Sequence, residues 1–387
     1  MSRPSGSWGS LPDEVVTALC ANLDASADFA AARLACKGWA GSVTRAVKTL
    51  AAKGEMPRRK PSGRPVWSLL RNLSSVESLA WEIGPEEPHR RYDATPLVYL
   101  TALKSLSITL KDDLRLAFAF RVPMQEVVAG LETLTNITSL SLHSLYMQSL
   151  PRGLFQLTQL ESLALPACQG LYSLKELERL PRLTSLDLTE CLEDTSSLPP
   201  TIRSLRYHNI EEYDCGVQLH NISPGVATSL TSLVITDSYV FDHRNQHTDF
   251  RTLSTMTSLE TLVMTDCLGF GRREVVALAG LQRLRTLDLS GTREWHGGDE
   301  DGEDADIGCL AGLASLTSLK LNGTAFVSFP EDLGALCGLS RLTGLTSLEV
   351  MGLCDDDDVS RETVEARRDD ALAALRAALP NLATLRV

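Results

Sequence analysis

Two histidines four residues apart, His243 and His247, stand beside Asp242 and Asp249. On a helix that spacing would bring two imidazoles to one metal ion. The run Asp242-His243-Arg244-Asn245-Gln246-His247-Thr248-Asp249 reads as a loop insertion instead, and no metal is expected there. Cys168, Cys191 and Cys267 form a second set with metal or redox chemistry in its residue types. Each ends the same short pattern of leucines, so each is expected to turn inward at a strand end as a structural thiol. The acidic runs Asp299–Asp306 and Asp355–Asp358 resemble cation sites in charge alone. The first lacks the Gly and Glu spacing of a calcium loop, and both read as solvated insertions. No glycine-rich phosphate loop follows a strand, and no nucleophile elbow or paired acid and base stands out. The chain is therefore expected to be no enzyme and to need no cofactor.

The elements that would carry these residues follow from one pattern. Leu180–Cys191 reads Leu-Pro-Arg-Leu-Thr-Ser-Leu-Asp-Leu-Thr-Glu-Cys. The spacing of two between Leu186 and Leu188 puts both side chains on one face of a short strand. Twelve copies align on Leu79, Leu106, Leu140, Leu163, Leu186, Leu205, Leu233, Leu262, Leu287, Leu319, Leu348 and Leu385, at intervals of 19 to 37 residues. The copy at Leu198–Tyr207, with Pro199 and Pro200, is the most degenerate. The residue before each of these leucines is Ser or Thr in all twelve copies. Such uniformity suits an inner curve where hydroxyls bond to neighbouring strands, because a binding site would break the repeat. The position after each leucine varies, from Ala80 and Ser107 through Asp187, Arg206, Val234 and Val263 to Asp288, Lys320, Glu349 and Arg386.

The self-similarity spans about 300 residues and resembles leucine-rich repeats. The expected fold is an α/β solenoid, a leucine-rich-repeat horseshoe whose concave side is one parallel sheet. Leu174–Leu180, Arg273–Leu284, Glu331–Leu342 and Arg367–Leu379 have apolar residues at helical spacing and are predicted to form its outer side.

The 387 residues are 43% hydrophobic and 5% aromatic, which predicts an aliphatic core. The net charge of −12 is uneven: residues 1–72 hold 11 Lys/Arg against 5 Asp/Glu, and the rest hold 26 against 44. An acidic repeat region is not expected to bind nucleic acid or an anionic membrane. Nine cysteines, a polar N-terminus and no long apolar run predict free thiols in a cytoplasmic or nuclear compartment.

Three short helices are predicted before the repeats. The first carries Val15, Val16, Leu19 and Leu23, the second Phe29, Leu34, Cys36 and Trp39, and a third runs from about Val43 to Leu50. The start Leu11-Pro12, the stripe to Leu23 and the ending Leu34-Ala35-Cys36-Lys37-Gly38-Trp39 resemble an F-box. Ala35 and Phe29 stand where that family usually carries Val and Leu. The resemblance implies docking on the Skp-type adaptor of a cullin–RING ubiquitin ligase through Leu11, Pro12, Val15, Val16, Leu19, Leu23 and Trp39. The plainer reading is a helical cap that closes the first repeat. Residues 7–52 are thus expected to form an F-box-like domain, 53–72 a basic Pro/Gly linker, and 73–387 the repeat domain.

F-box and repeats together resemble the F-box/leucine-rich-repeat substrate receptors of SCF-type ligases. That resemblance implies a non-catalytic subunit that holds an unknown target protein. The alternative is a leucine-rich-repeat scaffold in a larger assembly. Aromatics and histidines expected in loops just past the strands are candidate target contacts: Tyr207, His208 and Tyr213, then Tyr239, Phe241, His243 and His247, then Trp295 and His296.

Overall fold

The computed structural model describes residues 48–53, 75–83, 92–110, 128–143, 149–168, 171, 173–189, 198–208, 219, 222–238, 240, 251–271, 274–293, 307–324, 336, 338–351, 370 and 372–386. Thirteen strands form one sheet in chain order, and the pairs with recorded register are all parallel. By contacts the chain divides into two compact units, residues 1–172 with 179–183, and residues 173–178 with 184–387.

The first unit holds β1 (Thr49–Lys53), β2 (Ser78–Ile83), β4 (Ser105–Leu110), β6 (Ser139–His143) and β7 (Ser162–Ala164). A separate parallel pair joins β3 (Tyr92–Asp93) to β5 (Val128–Ala129). The second unit holds β8 (Ser185–Thr189), β9 (Ser204–His208), β10 (Ser232–Thr236), β11 (Thr261–Thr265), β12 (Thr286–Asp288), β13 (Ser318–Lys320), β14 (Ser347–Glu349) and β15 (Thr384–Arg386). Each of the twelve predicted leucines is the second residue of its strand. The pairing aligns leucine with leucine and hydroxyl with hydroxyl, as in Leu233↔Leu262 and Ser232↔Thr261. The degenerate copy is regular too: β9 pairs β8 and β10 over all five residues. This is the leucine-rich-repeat solenoid fold.

Within each unit, one carbonyl at each strand entry takes two amide donors from the next repeat. The amides of Thr231 and Ser232 both bond Arg203 O, at 2.8 and 3.0 Å, and those of Glu260 and Thr261 both bond Thr231 O, at 2.8 and 3.0 Å. That fork locks the register, since a one-residue slip would turn every leucine out of the core.

Residues 49–53 form a strand of the sheet, where a third helix to about Leu50 was expected. Thr49 pairs with Ser78 and Leu50 with Leu79, so Leu50 is a thirteenth copy and the repeat sheet begins before residue 73. Tertiary pairing outweighs local propensity here: the amides of Glu77 and Ser78 both bond Lys48 O.

The predicted outer helices are mostly 3-10 turns, namely Lys175–Arg179, Glu274–Leu278 and residues 338–341, while residues 372–378 are α-helical. The leucines explain this. Leu278, Leu281 and Leu284 are three apart, and so are Leu310, Leu313 and Leu316. A period of three is that of a 3-10 helix. The amide of Leu281 bonds Leu278 O at 2.9 Å, and that of Leu284 bonds Leu281 O at 2.9 Å. All six of these leucines are fully buried and lead straight into the strand leucine.

Candidate interaction surface

Strand alternation sorts the side chains into columns. On β8, β10 and β11 burial alternates, with the two leucine-type positions buried and the other three half-buried. The hydroxyl column, from Ser78 to Thr384, is half-buried in all twelve strands. Its predicted cross-strand bonding falls one residue earlier. Thr231 Oγ1 donates to Arg203 O at 3.1 Å, Thr317 Oγ1 to Arg285 O at 3.0 Å, and Thr346 Oγ1 to Thr317 O at 3.0 Å.

The variable column of the second unit is a registered row: Asp187, Arg206, Val234, Val263, Asp288, Lys320, Glu349 and Arg386. Five of its six charges pair with their neighbours. Arg206 Nε lies 3.9 Å from Asp187 Oδ2, Lys320 Nζ 3.5 Å from Glu349 Oε2, and Arg386 Nη1 3.6 Å from Glu349 Oε1. Asp187 is further held by the Thr189 amide at 3.0 Å, and Asp288 accepts the Ser290 amide at 3.0 Å. The same column in the first unit, Ala80, Ser107, Ser141 and Ala164, carries small uncharged residues. At the strand entries of that unit Lys48 holds Glu77 at 2.5 Å, and this bond keeps the Glu77 carboxyl below its usual range.

Just past the strands the backbone turns through the left-handed region, at Ala167, Asp237, Asp266, Gly291 and Gly323. The next residue points inward. Cys168 Sγ donates to Leu142 O at 2.9 Å, and Cys267 Sγ lies 3.4 Å from Thr265 O and 3.6 Å from Ile235 O. Ser238 Oγ donates to Thr236 O at 2.7 Å, Thr292 Oγ1 to Leu289 O at 2.6 Å, and Thr324 Oγ1 to Leu321 O at 3.3 Å. Sequence reasoning named the cysteines and missed Ser238, Thr292 and Thr324. Their signal was position, five residues past a strand leucine, rather than residue type. Burial pushes the Cys267 thiol up to about 12, and the Asp237 and Asp266 carboxylates push the same way against a backbone hydrogen bond from Ser238. A neutral thiol there is structural.

Of the predicted target contacts, Tyr207 and His208 lie on β9 rather than in a loop. Tyr207 is 4% exposed, in the core column beside Leu188 and Ile235. It takes the second leucine-type position of its repeat, so alternation sends it inward. His208 ends the strand half-buried, with Nδ1 3.0 Å from Thr236 O, 2.9 Å from Thr236 Oγ1 and 3.5 Å from Asp237 Oδ2. Tyr213, Tyr239, Phe241, His243, His247, Trp295 and His296 lie outside the described residues, as do Cys191 and the adaptor contacts Leu11, Pro12, Val15, Val16, Leu19, Leu23 and Trp39. Among the described residues no three His, Cys, Asp or Glu side chains group as a metal site. None of their helices is long and apolar enough to cross a membrane.

The family described as R13L1/DRL21 LRRs matches residues 88–191. No curated protein matches the chain. Solved structures that match include an internalin of Listeria monocytogenes, 17% identical over 96% of this chain and 93% of that one, with a TM-score of 0.40. A leucine-rich-repeat protein of Leptospira interrogans is 16% identical over 89% of this chain and 97% of that one, with a TM-score of 0.32.

Proposed function

We propose that the chain is a non-catalytic protein-binding subunit, and that its N-terminal segment makes it the substrate receptor of an SCF-type ubiquitin ligase. The observation that carries the binding role is the registered sheet. The column after the strand leucine is not fixed by the repeat, and in the second unit it carries its own order of charge. A rigid face with a variable column suits recognition of a protein surface. The ligase role rests on the Leu11–Trp39 resemblance. In that role the chain works by proximity: it raises the effective concentration of target lysines near a charged conjugating enzyme.

Co-purification tests it. Full-length protein is expected to capture a Skp-type adaptor and to lose it with Leu11→Ala/Pro12→Ala. Failure to capture the adaptor, or capture that survives the double substitution, leaves the scaffold reading. One observation favours that second reading: β1 begins at Thr49, only ten residues after Trp39, so little chain separates the F-box-like segment from the sheet.

A further inference from the structure

In the variable row of the second unit, two half-buried valines interrupt the charges. Val234 pairs with Val263, Arg206 lies in register on one side, and Asp288 lies in register on the other. The remaining charges of the row are turned away from this gap. Lys320, the neighbour of Asp288, reaches Glu349 at 3.5 Å, and Arg386 holds the far side of the same carboxylate at 3.6 Å. Among the described residues Asp288 has no ion-pair partner; its Oδ1 takes the Ser290 amide, which leaves the other oxygen to a ligand. The Arg206 side chain is 60% exposed, and its ion pair with Asp187 is a long one, 3.9 Å from Nε, so the guanidinium remains open to another carboxylate.

From these residues we infer that the row binds an extended peptide segment with the pattern acidic-x-apolar-x-basic, laid across the strands. This rests on the reading that the sheet face holds a partner protein. Arg206 takes the acidic side chain, Val234 and Val263 the apolar one, and Asp288 the basic one. The lengths agree. Adjacent strands are about 4.8 Å apart, so Arg206 and Asp288, three strands apart, are separated by about 14 Å. In an extended peptide residues i, i+2 and i+4 face the same way, and i to i+4 spans about 13 Å. Either chain direction satisfies the match, provided the acidic end lies over Arg206. Hydroxyls on both sides, Ser232 and Thr261 before the valines and Thr236 and Thr265 after them, leave room for a backbone because they are small.

A phage-displayed library of random nonapeptides, selected on the immobilised full-length chain, tests the inference, with affinities of the selected peptides read by fluorescence anisotropy. The wild-type chain is expected to enrich acidic-x-apolar-x-basic, read from either end of the peptide. Asp288→Lys should enrich peptides acidic at both ends, and Arg206→Glu peptides basic at both ends. Each should weaken the wild-type peptide by about fivefold, the size of one surface ion pair. Changing the peptide's basic residue to Glu should cost the wild-type chain the same about fivefold without touching its fold. The same motif on all three proteins, or a peptide-side swap without effect, overturns the site while peptide binding by the chain survives. No enriched peptide on the wild-type chain overturns the inference as well, and adaptor co-purification then decides separately whether the ligase reading stands.

Discussion

Gly291 and Gly323 hold the same place in successive repeats, with φ of 69° and 60°, yet they tolerate different neighbours. A Cβ at Gly291 would run into the Asp266 carboxylate and lie 3.1 Å from the Asp266 nitrogen, whereas one at Gly323 would meet open space. Gly291→Ala should therefore cost about 1–3 kcal/mol in urea unfolding, from strain plus the clash, and Gly323→Asn under about 1 kcal/mol. Equal losses at the two sites would refute that account. Cys267 makes a chemical prediction. Its thiol is held near 12 in the fold against an ordinary value of 9.0. The unfolded chain releases that proton first as pH rises, so stability is full below about pH 9 and falls towards 12. Cys267→Ala should flatten that alkaline slope. At pH 8 iodoacetamide should label Cys267 in urea but not in buffer, as peptide mass spectrometry would show.

At the scale of the element, the spacing of leucines decides which kind of turn leads into each strand. Leu278, Leu281, Leu284 and Leu287 form one continuous apolar line, because 3-10 geometry eclipses residues three apart and the strand continues the inward face. Removing one link should be felt fully: Leu281→Ala, at a fully buried position, is expected to cost about 2–5 kcal/mol by denaturant titration. Leu281→Met should cost under about 1.5 kcal/mol, since volume is nearly kept. These turns could have been read from the sequence, because a spacing of three differs from the three-and-four alternation of an amphipathic α-helix. Residues 372–378, which follow the mixed spacing of Leu372, Leu375 and Leu379, are α-helical.

A solenoid repeat contacts mainly its neighbours, so damage should stay local across the molecule. Within the second unit, Leu281→Ala should speed amide exchange in β11, β12 and β13 more than in β8 or β15, read by hydrogen–deuterium exchange mass spectrometry. Uniform acceleration throughout that unit would mean that its repeats open as one cooperative body.

The sequence by itself determined the strands, their inward leucines and their hydroxyl column, because a pattern that repeats must fold the same way each time to bury the same face. It marked Cys168 and Cys267 as strand-end thiols for the same reason. Tertiary structure decided what one repeat cannot encode. Leu50 joined the sheet because the amides of β2 needed a carbonyl partner. Tyr207 turned inward because strand alternation, not residue type, sets direction. The candidate site was legible as a list of variable residues but not as a surface. Arg206, Val234, Val263 and Asp288 are 25 to 29 residues apart along the chain, and register between separate strands makes them neighbours.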